Sequence, residues 1–218
     1  SLCKQGFFWL DSRIAEVPVT ECIRCPALCA SRSQIVMPTA ATVGGLLAIG
    51  EAPGEKEDEM GVGFAGQAGK TLDRLLAEHG IGREGYGRAN ICRCRPPENR
   101  KPTRAEVDAC MPYLAEFIEQ TRPRVLLLVG GTAAAHIVGT GSLARRIEMS
   151  RSPGGTWVDP AMCHPALRSL AAQRGLLAVP MPHTSGLAWN RKTPAGEPWS
   201  EVGKRQVALA VELAQREG

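Results

Sequence analysis

Arg124-Val125-Leu126-Leu127-Leu128-Val129 is a short apolar run that follows a helical pattern over about Arg104 to Gln120. A run without a polar face reads as a strand covered on both sides. Val43 to Gly50 is a second apolar run, ending in a Pro/Gly loop from Glu51 to Gly69, and Leu176 to Met181 is the last. Arg88 to Cys92 is a shorter, mixed strand. Further helices are expected over about Gly69 to His79, Thr132 to Val138 and Pro198 to Gln215, with room for a small hairpin near Trp157. Strands alternating with helices argue for a parallel sheet with both faces covered, whose ligands sit at the carboxyl ends of the strands. The loops after Gly50, after Arg88 to Cys92 and after Met181 are therefore expected to converge on one crevice.

At 218 residues and 44% hydrophobic content, the chain suits one sizeable core. One domain over 1–218 is expected, with an irregular N-terminal segment at 1–42. The apolar runs are far shorter than the roughly 20 residues that cross a bilayer, and no charged-then-apolar leader stands near Ser1. A soluble, intracellular protein without a membrane partner is expected. A net charge of +4 does not by itself identify a nucleic-acid binder. Eight cysteines in a reducing compartment point to metal or cluster ligation rather than disulfides. Cys22-x-x-Cys25 can grip one centre from a tight turn, and Cys94 with Cys110 can add two thiolates; zinc and an iron–sulfur cluster both suit such a set. Cys29, Cys92 and Cys163 read as small buried residues, although Cys92 rivals Cys94 as a ligand. Cys3 carries no functional weight.

Gly50-Glu51-Ala52-Pro53-Gly54-Glu55-Lys56-Glu57-Asp58, followed by Gly63-Phe64-Ala65-Gly66-Gln67-Ala68-Gly69, resembles the first motif of the family 4 uracil-DNA glycosylases. Asn90-Ile91-Cys92-Arg93-Cys94-Arg95-Pro96-Pro97-Glu98-Asn99-Arg100 is similar to that family's second motif, and Met181-Pro182-His183-Thr184-Ser185-Gly186-Leu187 to the superfamily's last. The likeness is good over roughly 20–130 and weakens until residue 181. It implies an α/β fold, a three-layer αβα sandwich around a central, mostly parallel four-stranded sheet. It also implies a four-iron four-sulfur cluster on Cys22, Cys25, Cys94 and Cys110, tying down residues 1–42. The implied activity is that of a monofunctional glycosylase, a monomer that flips uracil from single- or double-stranded DNA and starts base excision repair. Its implied setting is the bacterial cytoplasm, at the nucleoid.

Cleaving the base–sugar bond leaves negative charge on uracil and positive charge on the sugar, so placed dipoles and charges should carry catalysis. The resemblance gives His183 the role of neutral donor to a uracil oxygen. His164-Pro165 competes for that motif, but His183 directly follows the last expected strand. Asn90, at a strand end, can both donate to and accept from the base edge, and Phe64 is the expected stacking ring. Ala52 stands where the superfamily's first motif carries an aspartate, so Glu51, Glu57 and Asn99 are the candidates to orient water, Glu51 first. The charges of Glu55 to Glu59 also suit an ordinary solvated loop. Backbone N–H groups near Gly50 and Ser185 can hold phosphates, and Leu187 stands where the superfamily inserts an apolar wedge. Six basic residues against Glu98 between Arg88 and Arg104, including Arg95, Arg100 and Lys101, suit a phosphate track that Arg191 extends.

Gly66-Gln67-Ala68-Gly69-Lys70-Thr71 ends like a phosphate-binding loop, but its required first glycine falls at Phe64, so a helix start is expected. Release of another deaminated base such as hypoxanthine, and non-catalytic capture of uracil or abasic sites, are the alternatives. Arg95 to Pro102 contains no histidine, which argues against covalent capture. An electron-transfer module would leave the three motifs unexplained.

Overall fold

The computed structural model describes residues 21–41 and 45–216, so Cys3 and the rest of residues 1–20 lie outside the described residues. Four strands, β1 (Leu46–Gly50), β2 (Gly87–Asn90), β3 (Val125–Val129) and β4 (Leu177–Met181), form one sheet in the order β2-β1-β3-β4. All three pairings are parallel. The helices are α1 (Pro26–Ser31), α2 (Glu55–Met60), α3 (Gln67–Ala77), α4 (Arg104–Thr121) and α5 (Gly131–Ile137), then α6 (Leu143–Ser150), α7 (Arg168–Arg174), α8 (Gly186–Trp189) and α9 (Trp199–Gln215).

Side chains alternate across a strand, and here both sets are apolar. Leu47, Ile49, Leu126, Leu128 and Ala178 pack with α4, α5 and α7 in one core. Leu46, Ala48, Val125, Leu127, Val129, Val179 and Met181 pack with α3 and α9 in the other. Two cores on one sheet make the three-layer αβα sandwich and explain why the strands show no polar alternation. Pro180, which lacks a backbone N–H, falls in β4, an edge strand of this sheet, where that donor is not required by a neighbour. From β1 the chain crosses to β2 on one side, and from β3 to β4 on the other. The carboxyl ends of β1 and β3 therefore flank a switch point, where such sheets bind ligands.

Where both are described, the strand bounds fall within one or two residues of those expected, the usual scatter at element ends. Three larger differences concern helices. The segment expected to be irregular contains α1, which begins on Pro26, a residue suited to a helix's first turn. The loop from Glu51 to Gly69 contains α2, whose first turn carries Glu55, Glu57 and Asp58 and which closes on Gly61 in the left-handed region. The Gly- and Pro-rich region contains α6 and α7; the Ser142 side chain accepts the Arg145 N–H to cap α6. Trp157 makes a lone antiparallel bridge to Leu177, and no hairpin forms there among the described residues.

Asp58 is also not part of a solvated loop. It is buried, and its carboxylate accepts the backbone N–H groups of Ser33 and Gln34, joining the N-terminal segment to α2. Among the described residues, no helix is long and apolar enough to cross a membrane.

Candidate active site

A cleft of about 330 Å³ opens at the carboxyl ends of the strands. Glu51 and Ala52 reach it from the end of β1, Phe64 from the following loop, Asn90 from the end of β2, Asn99 from the next loop, and His183 from the end of β4. Its floor is Gly50. A Cβ there would stand 2.4 Å from Asn90 Oδ1 and 3.0 Å from Phe64 Cζ, so only glycine lets both side chains close over the strand end. Phe64 adopts a φ of 56°, and α3 begins immediately after its loop. A Cβ on Gly69 would lie 1.8 Å from the Phe64 carbonyl oxygen, so α3 presses against the backbone that aims the ring. Arg83 holds the same backbone from the other side, donating to the carbonyls of Gly63 and Phe64 while pairing with Asp73 at 2.8 Å. Asp73 in turn accepts the Tyr86 hydroxyl. Arg83 and Asp73 lie outside the three motifs and show no spacing signal in the sequence.

His183 is half-buried and its Nδ1 accepts the Ser185 backbone N–H at 3.1 Å. In the neutral ring the proton therefore sits on Nε2, which leaves that nitrogen as a donor. Burial holds the imidazole below its ordinary value of 6.5, against the opposing pull of Glu51 and Glu57. Thr184, where the related motif has proline, is buried and its hydroxyl donates to the Ala68 carbonyl at 2.7 Å. The departure from the motif thus replaces a stiff ring with a tether to the first turn of α3. His164 occupies a different place: its Nδ1 accepts the Ala166 N–H and its Nε2 stands 2.9 Å from Asp108 on α4. Both of its nitrogens are engaged, away from the cleft.

The acidic candidates separate by their partners. Glu57 spends both oxygens on backbone donors, Gly54 N–H at 3.0 Å and Gly66 N–H at 2.9 Å, and so staples the two glycine turns of the first motif together. Glu51 lines the cleft with no hydrogen-bond partner for its carboxylate among the described residues. Asn99 has a φ of 55°, lines the cleft and accepts from Arg95 at 2.9 Å. Arg95 also reaches Glu55 at 3.4 Å. Arg100, grouped with the phosphate track by sequence, is drawn into a two-pronged pair with Glu106 at 2.9 and 2.7 Å. That pair, with the Thr103 cap of α4, holds the Glu106 carboxyl down at about 2. Lys101 and Arg191 are exposed. Leu187, in the first turn of α8, has 75% of its surface exposed. Ser185 stands at the N-cap position of that helix beside His183, without a side-chain capping hydrogen bond.

The cysteines share another corner. Burial, and then the neighbouring Cys110 and Cys22 sulfurs, push the Cys25 thiol up to about 12, while Cys94 is raised by burial with Cys110 and Cys22 also nearby. Arg32 donates to Cys94 Sγ at 3.0 Å and to the Cys22 carbonyl at 2.7 Å; the Arg93 N–H points at Cys110 Sγ at 3.4 Å. Cys92 is fully buried, with the neighbouring Cys110 and burial raising its thiol. Among the described residues, no group of three or more His, Cys, Asp or Glu side chains forms a ready single-ion site. Four soft donors that repel one another as thiolates, ringed by N–H groups aimed at sulfur, fit an iron–sulfur group chemically.

Comparison with known proteins follows the same lines. The Type-4 uracil-DNA glycosylase of Thermotoga maritima is 40% identical over 120 residues, covering 55% of this chain and 62% of that protein. The Type-4 uracil-DNA glycosylase of Pyrobaculum aerophilum is 40% identical over 104 residues, 48% of this chain and 52% of its own. That of Archaeoglobus fulgidus is 46% identical over 89 residues, 41% and 45% respectively. The chain thus spans about half the length of the curated relatives it matches. The family profile of the Uracil DNA glycosylase superfamily matches residues 42–203, which include β1, all four strand ends and every side chain of the cleft. With that match over most of its length and a parallel four-stranded sheet carrying the three motif loops to one cleft, the chain belongs to the uracil DNA glycosylase superfamily.

Proposed function

We propose that this chain is a monofunctional uracil-DNA glycosylase, acting as a monomer on single- or double-stranded DNA in the bacterial cytoplasm. The observation that carries the reading is one cleft that contains a stacking ring, Phe64, a base-edge amide, Asn90, and a neutral imidazole with a free Nε2–H, His183. A flipped uracil stacks on Phe64, and Asn90 donates to a carbonyl while accepting from N3–H, a pattern cytosine does not present. The C1′–N1 bond then breaks with its electron pair going to uracil, and His183 Nε2–H stabilises the charge that collects on a uracil oxygen. Water bonds C1′ and gives up a proton to solvent or to the leaving base. Glu51, whose carboxylate is unspent, orients that water, whereas Glu57 holds the loop and Asn99 borders the site. Backbone N–H groups at Gly50 and Ser185 meet the pinched phosphates, Arg95, Lys101 and Arg191 track the backbone, and Leu187 fills the gap left by the base.

Cys22, Cys25, Cys94 and Cys110 would hold a four-iron four-sulfur cluster, which when bound supplies a cross-link between the N-terminal segment and the second motif. The relatives named Type-4 and the convergence of these thiols support this reading. One domain over 1–218 follows, with the segment 1–42 tied through that corner and through Asp58.

The test is a gel assay of cluster-loaded protein on single- and double-stranded DNA containing one uracil. Strand breaks after alkali are expected with wild type and lost with His183→Ala, which keeps its visible absorbance, while Cys94→Ala loses the absorbance. Release of hypoxanthine alone, or a persistent protein–DNA adduct on a denaturing gel, would replace this reading.

A further inference from the structure

Away from the cleft, a cavity of about 370 Å³ lies between α6 and β4, with Arg146, Arg145 and Met149 on one wall, Trp157 and Met162 on the other and Pro180 at its base. We propose that this cavity is a second ligand site, binding a planar organic anion with its ring against Trp157 and its acidic group against Arg146.

Two independent observations lead there. Arg146 is only 7% exposed, yet the sole hydrogen bond of its side chain among the described residues is a 3.3 Å contact from Nη1 to the Gly131 carbonyl. Its Nε is buried with no partner, and no carboxylate pairs with the guanidinium among the described residues. A buried cation without an anion is a standing cost to the fold, and burial alone already weakens its hold on the proton. Asp159 lines the same cavity, but its Oδ1 accepts the Ala161 N–H instead. Among the described residues, no carboxylate therefore pairs with Arg146 to compensate it.

The second observation is the apolar wall. Trp157, Met149 and Met162 are 57%, 56% and 52% exposed, three large apolar side chains around one opening. Single exposed apolar residues are ordinary, whereas a cluster beside a cavity marks a binding surface. An indole face next to guanidinium groups favours a flat ring carrying negative charge, since the ring stacks on Trp157 while the acid meets Arg146, and Arg145 at the exposed rim adds a second cation. Purely apolar ligands would leave Arg146 uncompensated, and inorganic anions would leave the apolar wall wet.

Nucleoside monophosphates represent this class for a protein that works on DNA. That choice of probe rests on the proposed function, while the cavity's chemistry does not. The test is titration with dAMP, with adenosine and inorganic phosphate as separate arms, read by calorimetry for wild type and variants alike and, in wild type, by shifts of the Trp157 ring resonances in NMR. The expected result is saturable binding of dAMP, at least about tenfold tighter than either adenosine or phosphate, the scale of one charge-assisted contact. Trp157→Ala, at an exposed position, and Arg146→Met should each weaken dAMP binding about tenfold or more while uracil excision stays unchanged. Arg146→Met should also melt at or above the wild-type temperature, because it removes an uncompensated charge. Unchanged dAMP binding in Trp157→Ala overturns the proposal, whatever Arg146→Met does to folding. So does phosphate binding as tightly as dAMP, or no ring shift at millimolar dAMP. Excision, measured in parallel, reports on the cleft alone, so failure of this site and failure of the glycosylase reading are separate results.

Discussion

Glu57→Gln separates a carboxylate that builds the cleft from one that reacts in it. In the native chain both Glu57 oxygens accept backbone N–H groups, at 3.0 Å from Gly54 and 2.9 Å from Gly66. Hydrogen bonds to charged groups contribute about 1.5–3 kcal/mol each, and the half-buried position places these near the lower figure. The glutamine amide keeps one acceptor oxygen but turns an NH₂ toward the other N–H, so one bond is lost and the other becomes neutral. The expected destabilisation is about 1–2 kcal/mol, which for a chain of this size lowers the melting temperature by roughly 2–8 °C. Excision should fall about tenfold, because the glycine turns that frame Phe64 loosen, and Glu57→Ala should be worse on both counts. Glu51→Gln should leave the melting temperature unchanged and lower excision far more. Thermal and urea melts, with single-turnover excision at fixed pH, read all three. If Glu57→Gln melts like wild type and yet abolishes excision, the staple reasoning is refuted and Glu57 acts on the water itself.

His183 has a folded-state value below its ordinary 6.5; its unfolded form therefore binds protons more readily, and its contribution to stability is full above about pH 6.5 and lost as pH falls through the folded value. His183→Gln should flatten that part of the stability–pH curve, and an unchanged slope would show that the ring is not held neutral. Gly69→Ala should cost about 1–3 kcal/mol in urea melts, since its Cβ meets the Phe64 carbonyl at 1.8 Å and backbone must move; a wild-type midpoint would show the α3 contact to be slack. Leu187→Ala, at a 75% exposed position, should melt like wild type, excise normally from single strands and slow several-fold on duplex. Equal slowing on both substrates would remove the wedge role.

The sheet was legible because strands covered on both faces are unbroken apolar runs, as Leu126 to Val129 shows, and because few residues are needed to specify one. The short helices were not. α2 hides in a glycine-bounded acidic stretch, and its six residues hold through Glu57, Asp58 and their backbone partners rather than through an apolar stripe. The same limit applied to the cleft. Residues that touch a base stand in motifs, so Asn90, Phe64 and His183 could be named from sequence. Those that hold the motifs in place, Arg83 on the Phe64 carbonyl and Glu106 on Arg100, act through contacts that close only in three dimensions. Arg100 shows the cost of reading charge alone: a basic residue in a basic stretch is spent on a buried carboxylate.

The Thr184 hydroxyl and the Ala68 carbonyl are 116 positions apart in the chain. Phe64 and Asn90 leave the ribosome well before the imidazole that faces them and the tether that seats it. A nascent chain arrested before β4 therefore presents a base-sized cradle with nothing to stabilise the leaving charge. On this arrangement the cleft is completed only once β4 and the loop after it have been made.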